Sequence, residues 1–214
     1  MQGRFITIEG VEGAGKTTCL EAIRATLQEA GAPEPVITRE PGGTPFGEAL
    51  RQVLLDPQYA GMTPEAEALT VFAARAEHLM RVIFPALSTG QWVVSDRFTD
   101  ATYAYQGGGR GLGDERVASL EAWVHGGFTP DRTLLLDVDP AVGHARVTAR
   151  GSAADRFEQE QEAFFRAARA AYHRRAAAEP ERFRVIDAHQ PADVVASQVR
   201  AEIQDLLATT GGGA

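Results

Sequence analysis

The sequence predicts an α/β fold: a five-stranded parallel sheet with helices on both faces and a short lid. Three observations carry that prediction. Five short apolar or β-branched runs alternate with segments of helical periodicity, the pattern of a parallel sheet wrapped by crossover helices. A glycine-rich segment follows the first run and opens the first helix. Glu9, Arg39, Asp96, Asp137 and Asp187 all fall at or near the carboxyl ends of the runs, where such sheets bind ligands.

Taken in order, the first strand spans Phe5 to Glu9, and the glycine-rich segment leads from it into a helix from Thr17 to Glu29. Pro35 to Arg39 makes the second strand, and Pro64 to Leu87 has the periodicity of a long helix. Trp92 to Asp96 is the third strand, followed by a helix over Glu115 to Val124. The fourth strand, Thr133 to Val138, precedes helices over Pro140 to Ala149 and Asp155 to Ala178. Phe183 to Asp187 is the last strand. Pro191 then opens a closing helix to Leu207, at a position where its fixed φ and missing N–H suit a helix start. There is no internal repeat and no linker between two domains. Residues 1–208 therefore read as one domain, with 209–214 as a glycine-rich tail.

Composition excludes several function classes. A chain of 214 residues that is 44% hydrophobic and 23% charged suits one globular domain, or one domain with a mobile lid. A formal net charge of −8 argues against a nucleic-acid surface, so any phosphate site must be a local pocket. The single cysteine, Cys19, permits no intrachain disulfide and fits a reducing compartment. Met1 to Glu9 run straight into a strand, so no secretory leader is expected. No stretch approaches the roughly 18 charge-poor apolar residues of a membrane span. A cytoplasmic protein is the expectation.

Among 21 Lys+Arg residues only Lys16 is lysine, and it lies in Gly10-Val11-Glu12-Gly13-Ala14-Gly15-Lys16-Thr17, followed by Thr18. This is the G-x-x-x-x-G-K-[ST] pattern of a P-loop, in the strand-then-helix context the pattern requires. Gly10, Gly13 and Gly15 let the backbone turn its N–H groups inward, and the helix dipole adds to the anion site. Lys16 supplies a point charge to the nucleotide phosphates, and the Thr17 hydroxyl is a natural Mg²⁺ ligand. Asp96, ending the third strand, can hold a water on the same Mg²⁺. Arg97 directly after it points to a second phosphate, and so to two phosphorylated substrates. A GTP-dependent switch protein would need an Asn-Lys-x-Asp segment, and the chain contains no asparagine.

The chain resembles the thymidylate kinase family over nearly its whole length. The residues that carry the resemblance are Ile8 to Thr18, Thr38-Arg39-Glu40-Pro41-Gly42-Gly43 and Phe72-Ala73-Ala74-Arg75. They continue with Asp96-Arg97-Phe98, Ala104-Tyr105-Gln106-Gly107, Asp155-Arg156-Phe157-Glu158 and Asp187-Ala188. The resemblance implies a P-loop NTPase-like three-layer sandwich that moves the γ-phosphoryl group of ATP to the 5′-phosphate of dTMP. Arg97 and Arg51 would grip the acceptor phosphate, since a guanidinium can bind phosphate through two donors. Arg75, Thr102 and Gln106 would hydrogen-bond thymine, Tyr105 would pack on the sugar, and Glu12 would lie between the P-loop and the acceptor. Glu40 and Pro41 would wall the acceptor pocket, with a cis peptide before Pro41. Adenine would rest near Asp187 and Ala188. Members of the family usually pair as homodimers, and the helices over Pro64 to Leu87 and Glu115 to Val124 are the candidate interface. A related kinase acting on another nucleoside or nucleoside monophosphate is the alternative activity.

The chain departs from the family at one contact. The family's base-stacking phenylalanine stands four residues before the pocket arginine, where this chain has Val71, with Phe72 next to it. A helix turns about 100° per residue, so either Val71 makes an aliphatic contact or the helix adjusts to bring Phe72 to the base. An ordinary core position is the other reading of Phe72.

The P-loop itself holds no arginine, so charge neutralisation during transfer must come from elsewhere. The lid segment, about residues 146–160, is the candidate. Arg146 and Arg150 lie four apart on one helix face, Gly151 to Ala154 forms a small polar tip, and Arg156 follows. Arg150 and Arg156 are the expected catalytic contacts. Arg166, Arg169, Arg174 and Arg175 are expected to form a solvated helical face. The five histidines, His78, His125, His144, His173 and His189, are scattered and read as surface or helix positions without a catalytic partner.

Overall fold

The computed structural model describes residues 3–149, 156–157 and 160–210. Five strands form and pair in parallel: β1 (Phe5–Glu9), β2 (Val36–Arg39), β3 (Val93–Asp96), β4 (Arg132–Asp137) and β5 (Phe183–Asp187). Their order is β2-β3-β1-β4-β5. The chain runs from β1 to one edge, returns to β3 beside β1, and then crosses to β4 on the other side. Connections therefore diverge around β1, and a crevice opens beyond its carboxyl end. Strand ends differ from expectation by one residue at most. Pro35 has no N–H for the ladder, so pairing starts at Val36, whose N–H donates to the Trp92 carbonyl at 2.8 Å.

Alternation along the strands sends Ile6 and Ile8 to one face and Phe5 to the other. Helices α1 (Lys16–Glu29) and α9 (Ala192–Thr210) cover the first face. Cys19, Ile23 and Leu27, four apart, meet Val199 and Ile203 over Val94, Leu134 and Leu136. Ile23, Leu27 and Ile203 are fully buried, each worth about 2 kcal/mol. On the opposite face α8 (Glu162–Ala178) covers Leu135 and Phe183, while Leu79, Ile83 and Ala86 cover Phe5 and Val93, with α3 (Pro64–His78) and α5 (Thr99–Thr102) packed beside them.

The helix expected over Pro64 to Leu87 is interrupted. A π-helical turn, Leu79–Ile83, separates α3 from α4 (Phe84–Ser88). Pro85 explains it: proline lacks an N–H and its ring would strike the carbonyl four residues back, so the widened turn accommodates it. Helix α2 (Pro45–Leu55) was not anticipated, although Thr44 and Pro45 mark its start. The Thr44 hydroxyl accepts from the Gly47 N–H at 2.9 Å.

A second π-helical turn, Tyr103–Gly109, extends α5 through three glycines that propensity alone would read as a break. Close packing on α8 overrides propensity there. A Cβ on Gly108 would stand 2.9 Å from both the Ala167 carbonyl oxygen and the Ala171 Cβ. Helices α6 (Asp114–His125) and α7 (Pro140–Thr148) complete the set, near their expected bounds. Helix α8 starts at Glu162, later than the expected Asp155, with Arg156 and Phe157 in a turn. Helix α9 runs to Thr210, into the expected tail, whose residues 211–214 lie outside those described.

Candidate active site

The P-loop fills the crevice beyond β1. Gly10, Gly13 and Gly15 have φ of 139°, 75° and 95°, and Gly15 caps α1. Val11 and Ala14 are buried in the core and anchor the loop between the glycines. Glu12, Gly13, Gly15, Lys16, Thr17 and Thr18 line a cavity of about 350 Å³ with Asp96 and Arg97. Lys16 Nζ stands 3.9 Å from Asp96 Oδ1. Burial, and then the charge of Arg97, push the Lys16 pKa down against the opposing pull of Asp96, Glu12 and Glu9. Asp96 Oδ1 is itself buried without a hydrogen bond. A second opening beside the loop is lined by Ala14, Gly15, Thr18, Arg146 and Ala188. There Arg146 donates to the carbonyls of Gly13 at 3.3 Å and Ala188 at 3.0 Å.

Arg97 stands where β3 ends and adopts φ 69°, the only non-glycine positive φ reported among the described residues. A left-handed arginine costs about 1 kcal/mol, strain of the kind that collects at functional sites. This conformation aims the guanidinium at Glu12. Its Nη2 donates to Glu12 Oε2 at 2.5 Å and to the Tyr105 hydroxyl at 3.0 Å, and the guanidinium carbon lies 4.7 Å from the Tyr105 ring centroid. Tyr105 in turn donates to Glu12 Oε2 at 2.8 Å. Burial would raise the Glu12 pKa, but the charges of Arg97 and Lys16 hold it below the usual carboxylate range.

A second, narrower cavity adjoins the first. Glu40, Pro41, Arg51, Val71, Arg75, Thr102, Tyr105 and Gln106 line it, together with Glu12 and Arg97. The Glu40–Pro41 peptide is cis. Arg51 donates to the Pro41 carbonyl at 3.1 Å. Arg75 is 1% exposed: its Nε donates to Glu40 Oε2 at 2.7 Å, and its Nη2 donates to the Phe98 carbonyl and Thr102 Oγ1, each at 3.0 Å. Its Nη1 is buried with no hydrogen bond. Gln106 Nε2 donates to Glu67 Oε1 at 2.8 Å.

Phe72 does not reach this cavity. Its ring packs with Ala68, Tyr103, Leu112 and Val117, and the Arg75 guanidinium lies 4.6 Å from its centroid. Val71 lines the cavity instead. The one-residue offset turns Phe72 into the helix–helix core, as 100° per residue requires.

Of the expected lid contacts, Arg150 lies outside the described residues. Arg156 is buried at 4% exposure, but against the acceptor side: it pairs with Glu67 at 2.7 Å, and its Nε donates to the Leu54 carbonyl at 2.6 Å. The cause is Glu67, a fully buried carboxylate that needs cationic partners and also takes Arg110 at 3.2 Å. Two arginines of α8 are likewise more than a solvated face. Arg169 makes two hydrogen bonds to Asp137, at 2.7 and 2.8 Å, and Arg175 reaches the buried Asp100 at 3.0 Å. Two histidines take the helix placement and not the surface one, and both are buried in the core. His78 is wholly buried between Thr38 and Glu40, and His125 is stacked on Phe98.

Sequence reasoning missed Glu67 and His78. Glu67, Val71, Arg75 and His78 follow a four, four, three spacing, so they share one face of α3. A polar residue on the face that carries the pocket arginine was the available signal.

A P-loop fold in which a second, arginine-bearing cavity opens into the phosphate cavity defines a nucleoside monophosphate kinase, a transferase with two phosphorylated substrates. The family model for thymidylate kinase matches residues 8–199. The chain is 73% identical over 210 residues to the thymidylate kinase of Halorhodospira halophila, covering 98% of each chain. It is 55% identical to that of Nitrosospira multiformis, covering 97% of this chain and 100% of the relative. It is 53% identical to that of Bordetella pertussis, covering 97% of each. The chain belongs to the thymidylate kinase family.

Proposed function

We propose that the chain transfers the γ-phosphoryl group of ATP to the 5′-phosphate of dTMP, releasing ADP and dTDP. The observation that carries this reading is that the two cavities share Glu12, Glu40, Arg51 and Arg97. A phosphate in each would meet across these four side chains, the in-line placement phosphoryl transfer requires. An oxygen of the dTMP phosphate forms the new bond to the γ-phosphorus while the bond to the ADP oxygen breaks. The attacking group is already an anion, so no general base is needed.

Lys16 and the P-loop amides hold the donor phosphates, and Arg97 with Arg51 holds the acceptor phosphate. Arg75, Thr102 and Gln106 meet the base edge, Val71 its face, and Tyr105 the sugar. Arg97 must exchange Glu12 for phosphate on binding, which its two-donor fork allows. Adenine would rest in the opening beside Arg146 and Ala188, and Arg150, which lies outside the described residues, is the arginine assigned to charge neutralisation during transfer.

The donor set fits Mg²⁺. Asp96 Oδ1 is a buried oxygen without a hydrogen bond, and the Thr17 hydroxyl lines the same cavity. Such sparse protein ligation suits a cation that keeps phosphate oxygens and water in its shell. When bound, the ion would neutralise charge on the donor phosphates.

Leu69, Met80 and Trp123 are 52%, 64% and 80% exposed on α3, the turn after it and α6. They support pairing with a second copy along these helices; the cytoplasm is the proposed compartment. An ADP-release assay with dTMP, dUMP, dCMP and thymidine, with and without Mg²⁺, tests the activity. Preference for any acceptor but dTMP overturns it, and a monomer by sedimentation removes the pairing.

A further inference from the structure

We infer that His78, acting through Glu40, is a positioning residue for acceptor specificity: it sets the orientation in which Arg75 meets the base. The inference rests on the proposed dTMP kinase activity.

The hydrogen bonds run in one line. Thr38 Oγ1 and His78 Nε2 are 2.7 Å apart, and His78 Nδ1 and Glu40 Oε1 are 2.8 Å apart. Glu40 Oε2 then takes Arg75 Nε at 2.7 Å. A neutral imidazole with its proton on Nδ1 satisfies every step, with the Thr38 hydroxyl donating to Nε2 and Nδ1 donating to the carboxylate. His78 is wholly buried, and Glu40 and Arg75 are 3% and 1% exposed, so water replaces none of these bonds.

The line decides what Arg75 has left to offer. Because His78 holds Oε1, Glu40 gives Arg75 only Oε2. Arg75 Nη2 then stays on the Phe98 carbonyl and Thr102, the guanidinium plane is fixed, and Nη1 remains without a partner in a residue lining the acceptor cavity. Released from His78, the carboxylate can rotate into side-on fork pairing with Nε and Nη2. That pairing would draw Nη2 off Phe98 and Thr102 and turn the plane away from the base.

The imidazole has no room to take another pose. A Cβ on Gly43, at φ 76°, would meet its ring atoms at 2.6 Å, so the backbone of the Arg-Glu-Pro-Gly-Gly segment lies directly on the ring. The burial is therefore specific to an imidazole held in one direction.

Two near-isosteric variants separate positioning from packing, because they replace different ring nitrogens. In His78→Asn the amide nitrogen stands in for Nδ1 and keeps the bond to Glu40. In His78→Gln the amide reaches toward Nε2 and leaves Oε1 free. The measurement is kcat/KM for dTMP relative to dCMP, whose exocyclic amine offers donors where thymine offers a carbonyl, together with KM for ATP. The expected result is a dTMP:dCMP ratio within about threefold of wild type for His78→Asn, and at least tenfold lower for His78→Gln. KM for ATP should stay within about twofold of wild type in both. Equal ratios in the two variants, or a KM for ATP that rises as far as that for dTMP, overturn the positioning role. A wild-type protein inactive on dTMP instead overturns the activity on which the inference rests.

Discussion

Glu9 ends β1 at the root of the P-loop, is wholly buried, and accepts hydrogen bonds from the Phe98 N–H and the Tyr172 hydroxyl, each at 2.8 Å. Burial raises its pKa from the ordinary 4.5 to about 8, and the Asp100 carboxylate adds to the rise. Between those two values the folded chain keeps the proton that the unfolded chain has lost. The native state therefore binds more protons, and stability falls as pH rises through the window before levelling above about pH 8. The separation is worth about 5 kcal/mol at 1.36 kcal/mol per pH unit. In Glu9→Gln the amide oxygen still accepts from the Phe98 N–H, the Tyr172 hydroxyl turns to accept from the amide nitrogen, and the side chain cannot ionise. Urea denaturation of both proteins from about pH 5 to about pH 9 is the assay. Relative to the variant, wild type should lose about 4 kcal/mol across the range, a midpoint shift of about 1 M at an m-value of about 3 kcal/mol/M. Stability curves that stay parallel across that range would refute the reasoning.

Two further outcomes follow from the site. Arg150→Ala should lower turnover about 100-fold or more while KM for dTMP moves less than threefold, in steady-state kinetics, because a transition-state contact shows chiefly in kcat. Equal losses in both would exclude that role. Phe72→Ala should cost about 3 kcal/mol in urea denaturation, and Val71→Ala should raise KM for dTMP with little loss of stability. The opposite assignment of effects would return Phe72 to the base.

The strands were legible almost to the residue because each is a short apolar run ended by a charged group. β1 and β5 match their expected limits without change. The P-loop was legible because its glycine spacing has no competing use. What sequence could not show were matters of tertiary contact. The glycines of Gly107–Gly109 break helices by propensity, and only the proximity of α8 makes them helical. The long helix was read straight through Pro85, whose missing N–H a widened turn absorbs. Arg156 carried a family role that the buried charge of Glu67 redirects in this conformation. His78 looked idle because its partners are 38 and 40 positions away in the chain.

The contact between Gly108 and α8 has a mechanical consequence. With no side chain on Gly108 to separate it from α8, no rotamer is available there to take up slack when α8 tilts. Helix α8 begins just after the segment expected to form the lid, and the turn it touches carries Tyr105 and Gln106. The two backbones thus meet directly, so a shift of α8 at Ala167 and Ala171 would bear at once on the turn that carries the sugar and base side of the pocket.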